Sequence, residues 1–193
     1  MINKISYKGE LLRKSIHLSS SSLAIMLYLF GREIILLPLI ILTSIYILFD
    51  YSRKNEKLNY LYLYFFSEIT RSSEKKGAFT GATFVFLGIT ITIFFFEQHI
   101  AIPSILIMSL SDSASAIFGR KYNYTKIKDK TLEGSIAFFI TTLFIFYLFN
   151  FNLLLSLFVA GILTLIEFFD KLLIDDNLSL PIASAILITI FLI

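Results

Sequence analysis

The chain has 193 residues, is 56% hydrophobic and 16% aromatic, and carries a formal net charge of +3. A mean hydropathy of +0.80 is too apolar for a soluble domain that must keep a polar surface, so the bilayer is the expected solvent. The absence of cysteine excludes disulfides, thiolate metal sites and cysteine nucleophiles.

In chain order, Lys4, Lys8, Arg13 and Lys14 precede a first apolar run, Ile16–Phe30, in the manner of a signal peptide. No small-residue cleavage site follows, because Leu27-Tyr28-Leu29-Phe30 leads into Gly31-Arg32 and more apolar sequence; a retained helix is expected. Further runs cover Ile34–Phe49, Ala82–Phe96, Ile100–Phe118, Ser135–Phe149, Leu153–Phe169 and Leu178–Ile193, each near the ~20 residues that cross a hydrocarbon core. Backbone groups in lipid must pair within their own segment, and solid runs such as Ile34-Ile35-Leu36-Leu37 lack the alternation of barrel strands. The tyrosine-rich stretch Leu58–Phe66 is too short to span and suits the membrane interface. The expected fold is an all-α integral membrane protein: one domain over residues 1–193, a bundle of about seven short transmembrane helices with an interfacial helix on the inner face.

Orientation follows from the basic residues. With the N-terminus in the cytoplasm and the C-terminus outside, every Lys and Arg except Arg32 falls on the inner side, satisfying the positive-inside rule. Juxtamembrane lysines thus account for the basic charge, and no nucleic-acid partner is expected.

A charge near the membrane centre costs about 2.5–3.5 kcal/mol on insertion scales, so each needs a reason. Four spans deliver polar groups to one inner depth: His17, Asp112, Glu167, and Asp176 with Asn177. Asp170, Lys171 and Asp175, at span ends, read as solvated. Asp112 lies among Ser109, Ser111, Ser113, Ala114, Ser115 and Ala116; packing explains small residues but not a carboxylate. The following loop, from Gly119-Arg120-Lys121 through Lys130-Thr131-Leu132-Glu133-Gly134-Ser135, offers cations, a capping hydroxyl and a helix N-terminus, the outline of a phosphate cradle or of a plain topogenic signal. No P-loop pattern occurs. Arg13, Lys14 and His17 share one helical face.

These pieces together resemble one family. Arg13-Lys14-x-x-His17, the Gly77–Thr83 segment with Leu87-Gly88, Asp112-Ser113-x-x-Ala116-x-x-Gly119-Arg120, Lys130-Thr131-x-Glu133-Gly134-Ser135, and Glu167 followed by Asp176-Asn177-Leu178-x-x-Pro181 resemble the CTP-dependent polyprenol and diacylglycerol kinases, which include dolichol and phytol kinases. Ser111 stands where that family usually has glycine before the aspartate. The resemblance implies transfer of the γ-phosphate of CTP to the hydroxyl of a membrane lipid alcohol, with Mg²⁺. It implies Asp112, Asp176 and Glu167 at the metal, and Arg13, Lys14, Ser113, Gly119, Arg120, Lys130, Thr131, Gly134, Ser135 and Asn177 around nucleotide and phosphates. Asp112 is then catalytic, and His17 or Glu133 takes the hydroxyl proton. The aspartate and the Asp-Asn-Leu-x-x-Pro element also resemble CTP-dependent cytidylyltransferases that make CDP-activated lipids, a rival reading. A small transporter is a third, disfavoured by outer span halves that hold little beyond Thr90, Thr92 and Tyr147.

Overall fold

A computed structural model describes residues 7–127, 130–169 and 175–193; Lys4, Lys128, Asp170 and Lys171 lie outside the described residues. The first apolar run is broken into α1 (Tyr7–Ser19) and α2 (Ser21–Phe30), where one helix was expected. The hydroxyls of Ser19, Ser20 and Ser21 donate back to the carbonyls of Ile16, His17 and Leu18, a local pairing that competes with the helical ladder. Gly31, at φ 77°, then turns the chain into α3 (Arg32–Ser52).

Helix α4 (Glu56–Phe66), capped by Asn55 on the Lys57 N–H, makes the tyrosine-rich stretch helical and buries no residue. A short α5 (Ser72–Lys75) and a turn at Gly77 lead to α6 (Gly81–Phe95), whose cap is Thr80. Next come α7 (Gln98–Leu106), a widened π-turn over Ile107–Ser111, and α8 (Asp112–Lys121). A small antiparallel hairpin pairs β1 (Lys126–Ile127) with β2 (Lys130–Thr131), setting Lys126 opposite Thr131, where the sequence suggested only loop. Thr131 caps α9 (Leu132–Leu148), α10 (Leu153–Phe169) follows, and Asp175 caps α11 (Asp176–Phe191).

The continuous α7–α8 rod is the axis of the bundle: 72% of its most apolar window is buried, against 22% for α3. It packs against α1, α2, α9 and α11, while α6 joins α11 to α3 and α10 lies against α9 and α11. Leu27, Ile89, Ile105, Met108, Phe138, Phe146, Leu163 and Ile188 fill the interior. Outside, Ile34, Leu37, Ile41, Ile45 and Leu48 stand exposed along α3, a continuous apolar face that suits hydrocarbon and not water. Two helices, Arg32–Ser52 and Gln98–Lys121, are long and apolar enough to cross a membrane; α6, α9, α10 and α11 are apolar but shorter. The apolar helices mark a membrane protein, and the described residues are all-α apart from the hairpin.

Candidate active site

Asp112 opens α8 directly after the π-turn and is 3% exposed. Widened turns of this kind recur at functional positions because they re-aim a side chain without ending the helix. Helix α1 meets the carboxylate with two groups from one face: Lys14 Nζ donates to Asp112 Oδ2, and His17 Nε2 lies 3.3 Å from the same oxygen. His17 Nε2 also lies 2.9 Å from the Met108 carbonyl in the π-turn. A carbonyl only accepts, so Nε2 carries the proton and donates. Of the expected trio, Lys14 and His17 present buried side chains to Asp112, while Arg13 reaches toward Gly81.

On the other side of α8, Lys130 Nζ donates to Glu167 Oε1, which also accepts from Ser115 Oγ at 3.1 Å. Burial acts to lower the Lys130 pKa, but the adjacent Glu167 charge overrides it and holds the ammonium above its usual value. Asp176 and Asp112 add to that pull. Thr131 Oγ1 accepts the Gly134 N–H at 3.2 Å, and glycine is required on both sides of this contact. A Cβ on Gly119 would lie 2.5 Å from Thr131 Oγ1, and one on Gly134 would lie 2.9 Å from the Ser115 carbonyl.

The third wall is the start of α11. Arg71 Nη1 binds Asp175 Oδ2 at 2.7 Å and its Nη2 lies 3.8 Å from Asp176 Oδ1. Asp175, read from sequence as solvated, is instead an ion-paired N-cap, because the loop before α5 folds over it. Asp176 lies within the electrostatic reach of Lys14, Arg71, Lys130 and Arg13. Asn177 and Arg13 both approach Gly81, where a Cβ would lie 3.4 Å from Asn177 Nδ2 and 3.5 Å from Arg13 Nη2. The starts of α6, α9 and α11 therefore approach one cluster of alternating acids and cations, a setting that favours phosphate.

Other expected residues make other contacts. Arg120 is exposed at the end of α8. Glu133 turns to the hairpin, where Oε1 accepts the Thr125 N–H at 3.0 Å. Ser113 donates within its own helix to the Ser109 carbonyl. Ser135 Oγ, Glu133 Oε2 and Glu167 Oε2 are buried without a hydrogen-bond partner, so polar capacity is spare at the start of α9 and beside Lys130. Among the described residues no three His, Cys, Asp or Glu gather closely enough to hold an ion by themselves. The donor set, carboxylates that each face a cation, fits an ion arriving on phosphates, and the spare Glu167 oxygen is available to it. Sequence reasoning missed Arg71 and Ser115, since an arginine in a basic loop and a serine among small residues look topogenic and structural.

Acids and cations gathered around helix N-termini in an apolar bundle place the chain in the class of membrane proteins that carry a buried ionic cluster. Comparison with known proteins is consistent with that class. The chain is 36% identical over 190 residues to an uncharacterized protein of Rickettsia prowazekii, covering 93% of each. It is 32% identical over 149 residues to CTP-dependent diacylglycerol kinase 1 of Saccharomyces cerevisiae, covering 72% of this chain and 51% of that protein. With CTP-dependent diacylglycerol kinase 1 of Schizosaccharomyces pombe it shares 31% over 142 residues, 62% of this chain and 63% of the other. The chain thus spans about half to just under two thirds of the yeast kinases it matches. No family profile matches it, and no solved structure does. These homologues, at 31–32% identity, support membership of the CTP-dependent lipid kinase family.

Proposed function

We propose that the protein is a CTP-dependent kinase that moves the γ-phosphate of CTP onto the hydroxyl of a membrane lipid alcohol, whether polyprenol, phytol-like prenol or diacylglycerol. The observation that supports this reading is the gathering of Lys14, His17, Asp112, Lys130, Glu167 and Asp176, residues widely separated in the chain, into one ionic cluster: Lys14 and His17 meet Asp112, Lys130 meets Glu167, and Asp112 and Asp176 both act on Lys130. Phosphoryl transfer asks mainly for positioning and charge neutralisation. Arg13, Lys14, Lys130 and Arg120 neutralise the phosphates; the Thr131–Ser135 turn offers N–H and hydroxyl donors; Asn177 orients the nucleotide. Asp112 and Asp176, with Glu167, would hold Mg²⁺, which when bound supplies charge neutralisation at the phosphate oxygens.

The lipid oxygen attacks the γ-phosphorus, the bond to the β–γ bridging oxygen breaks, and CDP leaves. The hydroxyl proton passes to this chain: His17 Nε2 is committed to Met108, so Nδ1 is the ring nitrogen open to it, with Glu133 the second candidate. We further propose seven spans with the N-terminus and the site in the cytoplasm, where CTP is available, as the placement of all Lys and Arg but Arg32 supports.

Membranes holding the protein, Mg²⁺ and γ-labelled CTP are expected to give labelled lipid phosphate from one of these alcohols. Label transferred from the α position instead would replace the kinase by a cytidylyltransferase. Asp112→Asn is expected to insert normally and lose turnover by about a hundredfold or more, because it removes a charge from the centre of the site; an active variant would remove Asp112 from the chemistry.

A further inference from the structure

Away from Asp112, the end of α3 carries a second ionic cluster that the chemistry above does not use. The side chains of Asp50 and Arg53 are fully buried and paired, Arg53 Nη1 to Asp50 Oδ1 at 2.9 Å. Such a pair is weak evidence for stability, since hydrophobic residues of the same shape often do as well. Its remaining hydrogen bonds show where it is directed. Asp50 Oδ2 accepts from the Thr80 N–H at 2.7 Å, from Thr80 Oγ1 at 3.0 Å and from Thr83 Oγ1 at 2.5 Å. Arg53 Nη2 donates to the Glu74 carbonyl at 2.6 Å and to Asn59 Oδ1 at 3.2 Å, while the guanidinium lies 3.8 Å from the centre of the Tyr62 ring. Both charges thus grip the segment from α5 to the start of α6, and Arg53 also grips α4.

That segment touches the pocket. Glu74 Oε1 accepts the Gly81 N–H and Oε2 the Arg71 N–H, each at 3.0 Å. Gly81 lies against Arg13 and Asn177, and Arg71 holds Asp175 and approaches Asp176. We propose that Asp50, Arg53 and Glu74 form a strut that acts as a set of positioning residues: it ties α3 and the aromatic helix α4 to Gly81 and Arg71, and through them fixes Arg13, Asp176 and Asn177 around the nucleotide. This rests on the lipid-kinase reading. It deepens that reading with residues that touch neither phosphate nor lipid hydroxyl, and that act through Gly81 and Arg71.

Arg53→Lys tests it, because lysine keeps a charge for Asp50 but lacks the planar fork that reaches Glu74 and Asn59 together. Arg53→Lys is expected to lower kcat by about tenfold to a hundredfold, the size of a small misplacement imposed from a distance. KM for CTP is expected to stay within about threefold, the pattern of an interaction realised in the transition state. The reference is Ile93→Ala, a buried α6 residue away from the strut, chosen to lose melting temperature by cavity formation; its kcat is expected to stay within about twofold. Equal kcat losses at equal melting temperature would overturn the strut, as would an effect on KM alone.

If Arg53→Lys fails to insert, Asn59→Ala removes one Arg53 contact, together with the bond from Asn59 Nδ2 to the Lys75 carbonyl, at a partly exposed position and is expected to lower kcat about threefold with melting temperature kept; unchanged kcat there overturns the proposal. Amide exchange separates this result from the kinase reading itself. Arg53→Lys is expected to speed exchange at Gly81–Thr83 and at Asp176–Leu178 and to leave α9 unchanged, and no such change sinks the strut. A wild type that transfers no γ-label to any alcohol sinks the kinase reading.

Discussion

Asp175 and Asp176 sit side by side at the start of α11, and burial, together with the Asp176 charge, pushes the Asp175 carboxyl up to about 6 against the pull of Arg71. The ordinary aspartate value is 3.8, so between there and about 6 the folded protein holds a proton that the unfolded chain has released. Stability at this site therefore falls as pH rises through that window and is recovered on acidification. Asp175→Asn keeps an N-cap acceptor of equal quality but removes the titration. Thermal unfolding in detergent from pH 7 to pH 4 is expected to show wild type gaining on Asp175→Asn as pH falls; parallel curves would mean that the carboxylate is not strained by its neighbour. Asp112 was legible in the sequence because a carboxylate among small apolar-helix residues has no packing purpose. Asp175 was not, since a position at a span end looks solvated until Arg71, far away in the chain, closes over it. Asp50 and Arg53 left one unused signal, opposite charges at i, i+3 at the end of an apolar run.

Among the helices, six of the seven apolar runs correspond to helical elements within a few residues, and two of these, Arg32–Ser52 and Gln98–Lys121, are long and apolar enough to cross a membrane. The break in the first run needed knowledge that serine hydroxyls would turn back on the helix, and the π-turn before Asp112 has no compositional signature in Ile107–Ser111. The close crossing of α8 and α9 was visible only as small residues. Its basis is the approach of Gly134 to the Ser115 carbonyl, 2.9 Å from where a Cβ would stand. Backbone cannot step aside as a flexible side chain can, so Gly134→Ala is expected to destabilise by about 1–3 kcal/mol and to loosen Lys130 from Glu167. Ile136→Ala, two residues on but exposed, is expected to stay within about 0.5 kcal/mol. Unfolding midpoints of the two variants in one detergent series check this; a Gly134→Ala midpoint no lower than that of Ile136→Ala would show that the helices are free to move apart.

For the molecule as a whole, the charge distribution and the location of the chemistry make one joint demand. The pocket lies at the end of the bundle where α6, α9 and α11 begin, the same end that carries the hairpin and the basic α4 loop. Positive residues resist transfer across the membrane, so that end should face the cytoplasm, and a site using CTP would have to. The chain has no cysteine, so a single introduced thiol is a unique reporter. Exposed positions exist at both ends: Lys57 and Lys126 on the pocket side, Glu97 and Asn152 in the turns at the other. In intact cells an impermeant maleimide is expected to label Glu97→Cys and Asn152→Cys, and to reach Lys57→Cys and Lys126→Cys only after the membrane is opened. The reverse pattern would put the acids and cations of the pocket where no cytosolic nucleotide arrives. Labelling of all four in intact cells would mean that the apolar faces of α3 and its neighbours do not cross the bilayer.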